Sequence, residues 1–219
     1  MLDVHRFLLF FAAALLLAVT PGPGIFYVLA RTLAGGRREG FQSSIGTFFG
    51  GLFHVFAAAL GVSAILAASA VAFHTVKYAG AAYLIFLGIK MIRSRNVPVP
   101  EGVAVQNSSQ SKAAFHPAAS AAFRQGVLTE ALNPKTALFF LSFIPQFIAP
   151  ERGHIFLQFA TLGILSVTLN TAADLLVVAC AAPLERKLKS SPKFRSRQRT
   201  ASGLGMIGLG AYVAVSESK

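Results

Sequence analysis

The sequence has little charge for its length: 13% of its 219 residues are charged, and only eight of them are acidic. A soluble domain needs more charge to cover its surface, so a soluble globular protein is disfavoured. The single cysteine, Cys180, excludes an internal disulfide and a Cys-x-x-Cys pair, and therefore a thiol–disulfide electron carrier. The histidines lack metal-ligand spacing, and the sequence has no P-loop, nucleophile elbow or zinc-protease motif. We therefore expect no metal, no other cofactor and no enzymatic or ATP-driven activity.

Apolar residues dominate what is present. They make up 54% of the chain, and the mean hydropathy is +0.62. They gather into six segments, at about Phe7–Ala30, Ser43–Leu66, Val76–Ile92, Val127–Ile148, Ile155–Ala182 and Thr200–Val215. A membrane-spanning helix needs about 20 apolar residues, which all but the third and sixth segments supply. We predict an all-α integral membrane protein with six transmembrane helices in one domain, residues 1–219.

Positive charge is distributed unevenly between the predicted loops. Fifteen Lys and Arg residues fall in loops one, three and five, against four on the opposite side. This bias places the odd-numbered loops in the cytoplasm and both termini outside. The same bias explains the net charge of +12, so a nucleic-acid partner is not needed to account for it. Nucleic-acid binding is also disfavoured because no basic helix with interleaved aromatics lies outside the apolar segments.

A polar stretch rich in Pro, Ser and Gln divides the chain into two halves. We predict a first three-helix half at residues 1–95, a cytoplasmic linker at 96–122 and a second three-helix half at 123–219. Three spans per half make the second half enter the bilayer from the opposite side. Related halves would therefore form an inverted repeat, as in many secondary transporters.

Both halves begin with a helix that the sequence interrupts. Thr20, Pro21, Gly22, Pro23 and Gly24 break the first segment, which resumes and reads as one broken span and not as a cleaved signal peptide. The break in segment four is formed by Asn133, Pro134 and Lys135. Broken helices at matching positions indicate a substrate site made of exposed backbone groups. The alternatives are a simple proline kink in segment one and a Lys135 side chain that snorkels to water.

Asp174 lies well inside segment five, where a carboxylate must be protonated, paired or turned to a polar cavity. Asn170 is one turn earlier on the same helix face. We interpret Asp174 as a proton-coupling group or a ligand for a substrate ammonium. The alternative is a hydrogen-bonding anchor between helices.

Segment two carries Thr47, Gly51, His54, Ala58 and Gly61 at three- and four-residue steps, hence on one helix face. The small residues predict close helix packing. His54 is either a polar packing residue or part of a proton relay. The string Gly203-x-Gly205-x-x-Gly208 has no strand before it, so we interpret it as helix packing and not as a dinucleotide site.

Three motifs in order resemble the LysE/RhtB family of amino-acid exporters. They are Thr20-Pro21-Gly22-Pro23, the run Gly80–Gly88, and Asn133-Pro134-Lys135 followed by Phe139-Phe140 and Phe143–Phe147. The resemblance extends from about Leu15 to Val215. In that family the Pro-Gly-Pro element is usually followed by Asn or Asp, whereas this chain has Gly24, as do some members of the homoserine-exporter branch.

The resemblance implies export of an amino acid or derivative, such as homoserine, homoserine lactone or threonine, across a bacterial inner membrane. It also implies that proton antiport drives the export. The implied partners are therefore a small amino-acid-like substrate, protons and the lipid bilayer, with self-association into a homo-oligomer left open. Three alternatives remain: a transporter of another solute or a cation, an intramembrane enzyme that uses His54 with Asp174, and a structural or sensory subunit.

Overall fold

The chain is helical throughout the part that the computed structural model describes, which comprises residues 4–68, 70–93, 119–181, 183 and 191–215. The helices are α1 (Val4–Val19), α2 (Pro23–Ala68), α3 (Ala70–Arg93), α4 (Ala119–Ala131), α5 (Pro134–Ser142), α6 (Ile155–Ala179) and α7 (Pro192–Val215). Two short 3-10 helices, Ile144–Phe147 and Pro150–Arg152, join α5 to α6. The predicted all-α class is confirmed for these residues.

Both predicted interruptions are present. Helix α1 ends at Val19 and α2 begins at Pro23, while α4 ends at Ala131 and α5 begins at Pro134. In each case a proline occupies the start of the new helix, where its missing N–H removes no intrahelical hydrogen bond. The predicted linker is described only from Ala119, where α4 has already begun. Both chain ends and several of the loop cations fall outside the described residues, so the predicted topology remains a prediction.

The expected first loop is reduced to a sharp bend between two helical arms of α2. The helix bends at Gly36, where φ is 77° and ψ is −177°, a backbone conformation open almost only to glycine. Arg37 and Arg38 are exposed at this bend, as expected of a loop. Arg31, assigned to the same loop, is instead only 4% exposed.

Arg31 is buried because it is paired on several sides. Its guanidinium lies 3.3 Å from Glu39 across the Gly36 bend and donates a hydrogen bond to Gln125 of α4. The guanidinium also lies over the Tyr27 ring, 5.8 Å from its centroid. A buried charge persists when it is paired and hydrogen-bonded in this way. These contacts join the two arms of α2 to α4.

Helix α2 packs mainly on α4 and α6, and α3 packs mainly on α7. Glycines bring the backbones together at these crossings. A β-carbon on Gly126 would lie 2.7 Å from the carbonyl oxygen of Ser43, and one on Gly203 would lie 2.6 Å from that of Gly88. The packing interpretation of the Gly203 string therefore holds for this glycine. Gly51 packs equally closely on Val167 of α6.

Aromatic rings fill the centre of the molecule. Phe139, Phe143 and Phe147, each at most 1% exposed, stack in sequence with centroids 4.9 and 4.8 Å apart. Phe10 of α1 meets this row edge-on at 5.5 Å, and Tyr212 of α7 lies 6.3 Å from Phe147. The row thereby joins both halves of the chain in one core.

The outer surface is apolar, while many polar side chains are inside. Phe53, Leu60, Leu132 and Leu176 are all at least 60% exposed, whereas charged and hydroxyl side chains lie buried. A soluble monomer rarely exposes so much apolar surface, whereas lipid favours it. Two described helical stretches, Pro23–Gly61 and Ile155–Ala179, are long and apolar enough to cross a bilayer, and Val4–Val19 is a shorter apolar helix. The six-span count stays a prediction.

Helix α7 allows a matched test of glycine packing. We expect Gly203→Ala to destabilise the fold by about 1–3 kcal/mol, because the new methyl group would meet the Gly88 backbone. Gly208→Ala is the control, since nothing lies within 4 Å of its β-carbon position. Thermal unfolding in detergent, followed by circular dichroism, should lower the melting temperature only for Gly203→Ala. Equal melting temperatures for the two variants would contradict close α3–α7 contact.

Candidate functional site

The first break leaves carbonyl groups at the end of α1 without their usual partners. Pro21 has no N–H, so the Leu17 carbonyl loses the donor four residues ahead. The Thr20 N–H still bonds to the carbonyls of Leu16 and Leu17, at 3.0 and 3.2 Å. The last carbonyls of a helix need such partners when they are buried away from water.

The second break is capped by its own side chain. Asn133 is the N-cap of α5, and its Oδ1 accepts a hydrogen bond from the Lys135 backbone N–H at 3.1 Å. Pro134 occupies the first turn, as is typical of helix starts. The break is therefore a defined capped start and not a loose kink.

Lys135 joins the two breaks. Its ammonium donates hydrogen bonds to the carbonyls of Leu17 and Thr20, at 3.2 and 2.9 Å. A cation at a helix C-terminus also interacts favourably with the helix dipole. Gly22 leaves room for it, since a β-carbon there would lie 3.0 Å from Nζ. Lys135 is 8% exposed, so the snorkelling alternative does not describe its position.

Glu130 is a functional candidate that the sequence analysis missed. Its Oε1 accepts a hydrogen bond from Thr136 at 2.6 Å, and its Oε2 accepts one from Asn133 at 3.1 Å. It is 3% exposed and lies three residues before the second break. An acidic residue inside a predicted apolar segment was the available signal. Asp174 is therefore not the only carboxylate buried among the helices.

Asp174 is fully buried in α6. Its Oδ2 accepts a hydrogen bond from Thr47 of α2 at 2.8 Å, while its Oδ1 is buried with no hydrogen-bond partner among the described residues. An unsatisfied buried oxygen is costly, so this atom is a natural position for a proton or a cationic ligand.

His54 does not contact Asp174 among the contacts described. Its Nε2 is 2.8 Å from the carbonyl oxygen of Glu130, and its ring lies 6.3 Å from that of Phe140. The paired His54–Asp174 arrangement that an intramembrane enzyme would need is therefore not formed. His54 instead connects α2 to the last turn of α4.

A small cavity lies between these groups. The space open to the centre of a water molecule is about 10 Å³, which is room for about one water. The cavity is lined by Leu17, Thr47, Gly51, Glu130, Thr136, Phe140, Ser166, Val167 and Asn170. Asn170 thus lines the cavity, and Asp174 reaches it through Thr47; the predicted role of Asn170 in substrate binding stays a prediction.

The predicted residues of the two breaks differ in burial, and Pro21 is half-buried. Gly22, Gly24, Asn133 and Lys135 are buried where the two breaks meet, together with Thr20. Pro23 and Pro134 are exposed on the outside of the helices that they start. Within the described part of the chain, no group of three or more His, Cys, Asp or Glu side chains is arranged to hold a metal ion.

The sequence model of the LysE type translocators matches residues 15–217. The chain therefore belongs to the LysE type translocator family. This membership confirms the resemblance to LysE proteins and makes the chain a membrane protein of a transporter family, in agreement with the expectation that it is not an enzyme.

Three relatives cover nearly the whole chain. An uncharacterised membrane protein of Vibrio cholerae is 32% identical over 217 residues, which is 99% of this chain and 100% of the relative. A leucine efflux protein of Klebsiella pneumoniae is 28% identical over 215 residues, 98% of this chain and 97% of the relative. The uncharacterised membrane protein YrhP of Bacillus subtilis is 30% identical over 215 residues, 97% of this chain and 100% of the relative. No solved structure matches the chain significantly.

The contact between the two breaks gives a direct stability test. Lys135→Met should destabilise the fold by about 1–3 kcal/mol, because the Leu17 and Thr20 carbonyls lose their donor. Lys193→Met is the matched control, since Lys193 is exposed on α7. Thermal unfolding in detergent should separate the two variants by several degrees. If Lys135→Met unfolded at the wild-type temperature, the ammonium would not be holding the end of α1.

Proposed function

We propose that the chain is a secondary transporter that exports amino acids or their derivatives across a bacterial inner membrane. Membership of the LysE type translocator family and relatives named leucine efflux proteins support an amino-acid exporter. The observation that carries the proposal is the meeting of two broken helices at a cavity that a buried carboxylate lines. Discontinuous helices that meet inside the membrane are typical of transporter binding sites.

The substrate site would lie between the breaks. A zwitterionic amino acid carries an ammonium and a carboxylate, and helix C-termini and N-termini, respectively, attract these charges. The N-termini of α2 and α5, at Pro23 and Pro134, would attract the carboxylate, while the carbonyls of Leu17 and Thr20 already bond to Lys135. Asn170 adds an amide on the cavity wall. These groups suit the part of the substrate common to all amino acids.

The substrate side chain would occupy the remaining cavity wall. Leu17, Phe140 and Val167 provide apolar surface, and Thr136 and Ser166 provide hydroxyl groups. This mixture suits small neutral side chains such as those of threonine, homoserine, homoserine lactone or leucine. We propose this class and exclude none of its members.

Alternating access would come from two inverted halves. The helix contacts support such symmetry: α3 of the first half packs on α7 of the second, and α2 packs on α6. The contact of α2 with α4 is matched by that of α6 with α1. In inverted-repeat transporters, one repeat commonly rocks against the other as a rigid body, which opens the site to each side of the membrane in turn.

Asp174 is the proposed proton-coupling group. It lies against Thr47, which lines the cavity, and its Oδ1 has no partner among the described side chains. Proton binding at Asp174 and substrate binding in the cavity would then affect each other through one hydrogen bond. Proton entry would thereby drive substrate exit.

A second candidate is a transporter of a small cation. Such a protein would need more than one carboxylate inside the membrane, and Glu130 supplies the second. Efflux measurements on a panel of amino acids distinguish the two candidates, because a cation transporter would leave all amino acids inside the cell.

The test is efflux from cells preloaded with amino acids, homoserine and homoserine lactone, with and without a protonophore. We expect efflux of at least one solute, collapse with the protonophore, and a loss of about tenfold or more in Asp174→Asn, as is typical when a buried charge is removed from a coupled step. Glu151→Gln is the matched control, because Glu151 is exposed on a 3-10 helix.

Two results would count against these assignments. Wild-type efflux rate and pH dependence in Asp174→Asn would remove the coupling role from Asp174. Correct membrane insertion without efflux of any solute on the panel would remove amino-acid export itself.

His54 was predicted as a proton-coupling residue, and its hydrogen bond offers a way to test that role. Glutamine at this position keeps a donor for the Glu130 carbonyl but cannot exchange protons near neutral pH. If His54 acts by holding α4, His54→Gln should retain protonophore-sensitive efflux within about threefold, whereas His54→Phe should lose most of it. Efflux from His54→Gln that no longer responds to the protonophore would instead establish a proton relay.

A further inference from the structure

Glu130 combines burial with access to the cavity. It is 3% exposed, it lies in the last turn of α4, and it lines the cavity between the two breaks. Asp174, by comparison, reaches the cavity only through Thr47. Of Glu130 and Asp174, Glu130 is therefore the one that a bound solute would touch.

The hydrogen bonds of Glu130 orient its carboxylate without neutralising it. The Thr136 hydroxyl and the Asn133 amide each donate one hydrogen bond, and both donors are uncharged. A carboxylate offers about four lone-pair positions, so about two remain. Buried carboxylates are normally paired with a cation.

No cation takes these positions within the described residues. The ion pair found there joins Arg31 to Glu39, at the Gly36 bend. Lys135 is the nearest candidate in sequence, but its ammonium is directed to the carbonyls at the end of α1. Lys135 is near enough to attract Glu130 electrostatically, but no hydrogen bond between them is among the described contacts, so the remaining lone-pair positions of Glu130 stay open to a further cation.

Gly24 shapes the space around this carboxylate. A β-carbon built at Gly24 would lie only 2.6 Å from Oε2 of Glu130, which is closer than any side chain tolerates. Glycine at the second position of α2 therefore leaves the space that the carboxylate occupies. The start of α2 and the start of α5 both adjoin Glu130, so the two breaks converge on this one group.

We propose that Glu130 is the specificity-determining residue that receives the ammonium group of the exported solute. The inference rests on the proposed function and deepens it: the ligand class is a primary amine, and the α-ammonium of an amino acid is its natural form. The substrate ammonium donates hydrogen bonds to the remaining lone pairs of the Glu130 carboxylate, and Gly24 keeps the space around this carboxylate open.

The test uses the full chain in proteoliposomes and L-leucine counterflow, an exchange that needs no proton gradient. Two analogues compete: 3-methylbutylamine, which is leucine without its carboxylate, and 4-methylpentanoate, which is leucine without its ammonium. The variants are Glu130→Gln, which keeps the size of the side chain and removes its charge, and the exposed control Glu151→Gln.

In the wild type and in Glu151→Gln, the amine should inhibit counterflow. In Glu130→Gln, leucine itself should need a concentration higher by about tenfold for half-maximal counterflow, and the inhibition constant of the amine should rise at least about tenfold, as expected when a charge-assisted hydrogen bond is lost. Inhibition by the carboxylate analogue should stay the same or strengthen. If Glu130 had a purely structural role, its substitution would weaken inhibition by both analogues equally. The ratio of the two inhibition constants is therefore the deciding measurement.

Gly24→Ala provides a second variant that leaves the charge in place. Its methyl group displaces the Glu130 carboxylate, so it should produce the same selective loss of amine inhibition. Unchanged amine inhibition in both variants, or equal weakening of both analogues, would overturn the assignment of Glu130 while leaving amino-acid export intact. Absence of leucine counterflow and of efflux of the whole amino-acid panel in the wild type would instead overturn the proposed function, and this inference with it.

Discussion

The structure depends on one constraint: carbonyl groups released by proline inside an apolar protein must find other donors. The break after Val19 releases the carbonyls at the end of α1, and the ammonium of Lys135 bonds two of them. Because Lys135 follows the second break directly, one contact fixes both breaks relative to each other. The charged groups of the site are then arranged around the helix ends, with the cation at a C-terminus and Glu130 near two N-termini.

The exterior differs from that of a soluble domain, and the interior holds polar groups beside its aromatic core. Phenylalanine and leucine side chains cover much of the outside, while acidic, basic and hydroxyl side chains lie between the helices. Glycine at the crossings brings the backbones close enough to enclose these polar groups. The aromatic row from Phe139 to Phe147 holds the second half against α1 and α7. Polar groups inside such a shell are expensive and are kept where they have a function.

Features that depend on residues adjacent in the sequence could be predicted from it. The prolines at 21, 23 and 134 gave both breaks, and the rarity of charge in apolar segments identified Asp174. Long-range contacts were beyond such rules. Nothing near Arg31 in the sequence indicates that Gln125 receives its guanidinium, so its burial was missed. Glu130 lies in an apolar segment, so the rule that identified Asp174 could have found it, but its approach to Gly24, more than a hundred positions away, could not be predicted.

The size of the cavity affects how such an exporter would behave in a cell. Space for about one water cannot admit an amino acid, so the helices must part before any solute is held. The free energy needed to part the helices reduces the free energy of substrate binding. Each 1.4 kcal/mol lost in this way weakens the affinity about tenfold. A weak apparent affinity makes the rate of loss follow the internal concentration almost linearly. The rate of loss would then be low at ordinary concentrations and would keep rising in proportion as a metabolite accumulates, without saturating.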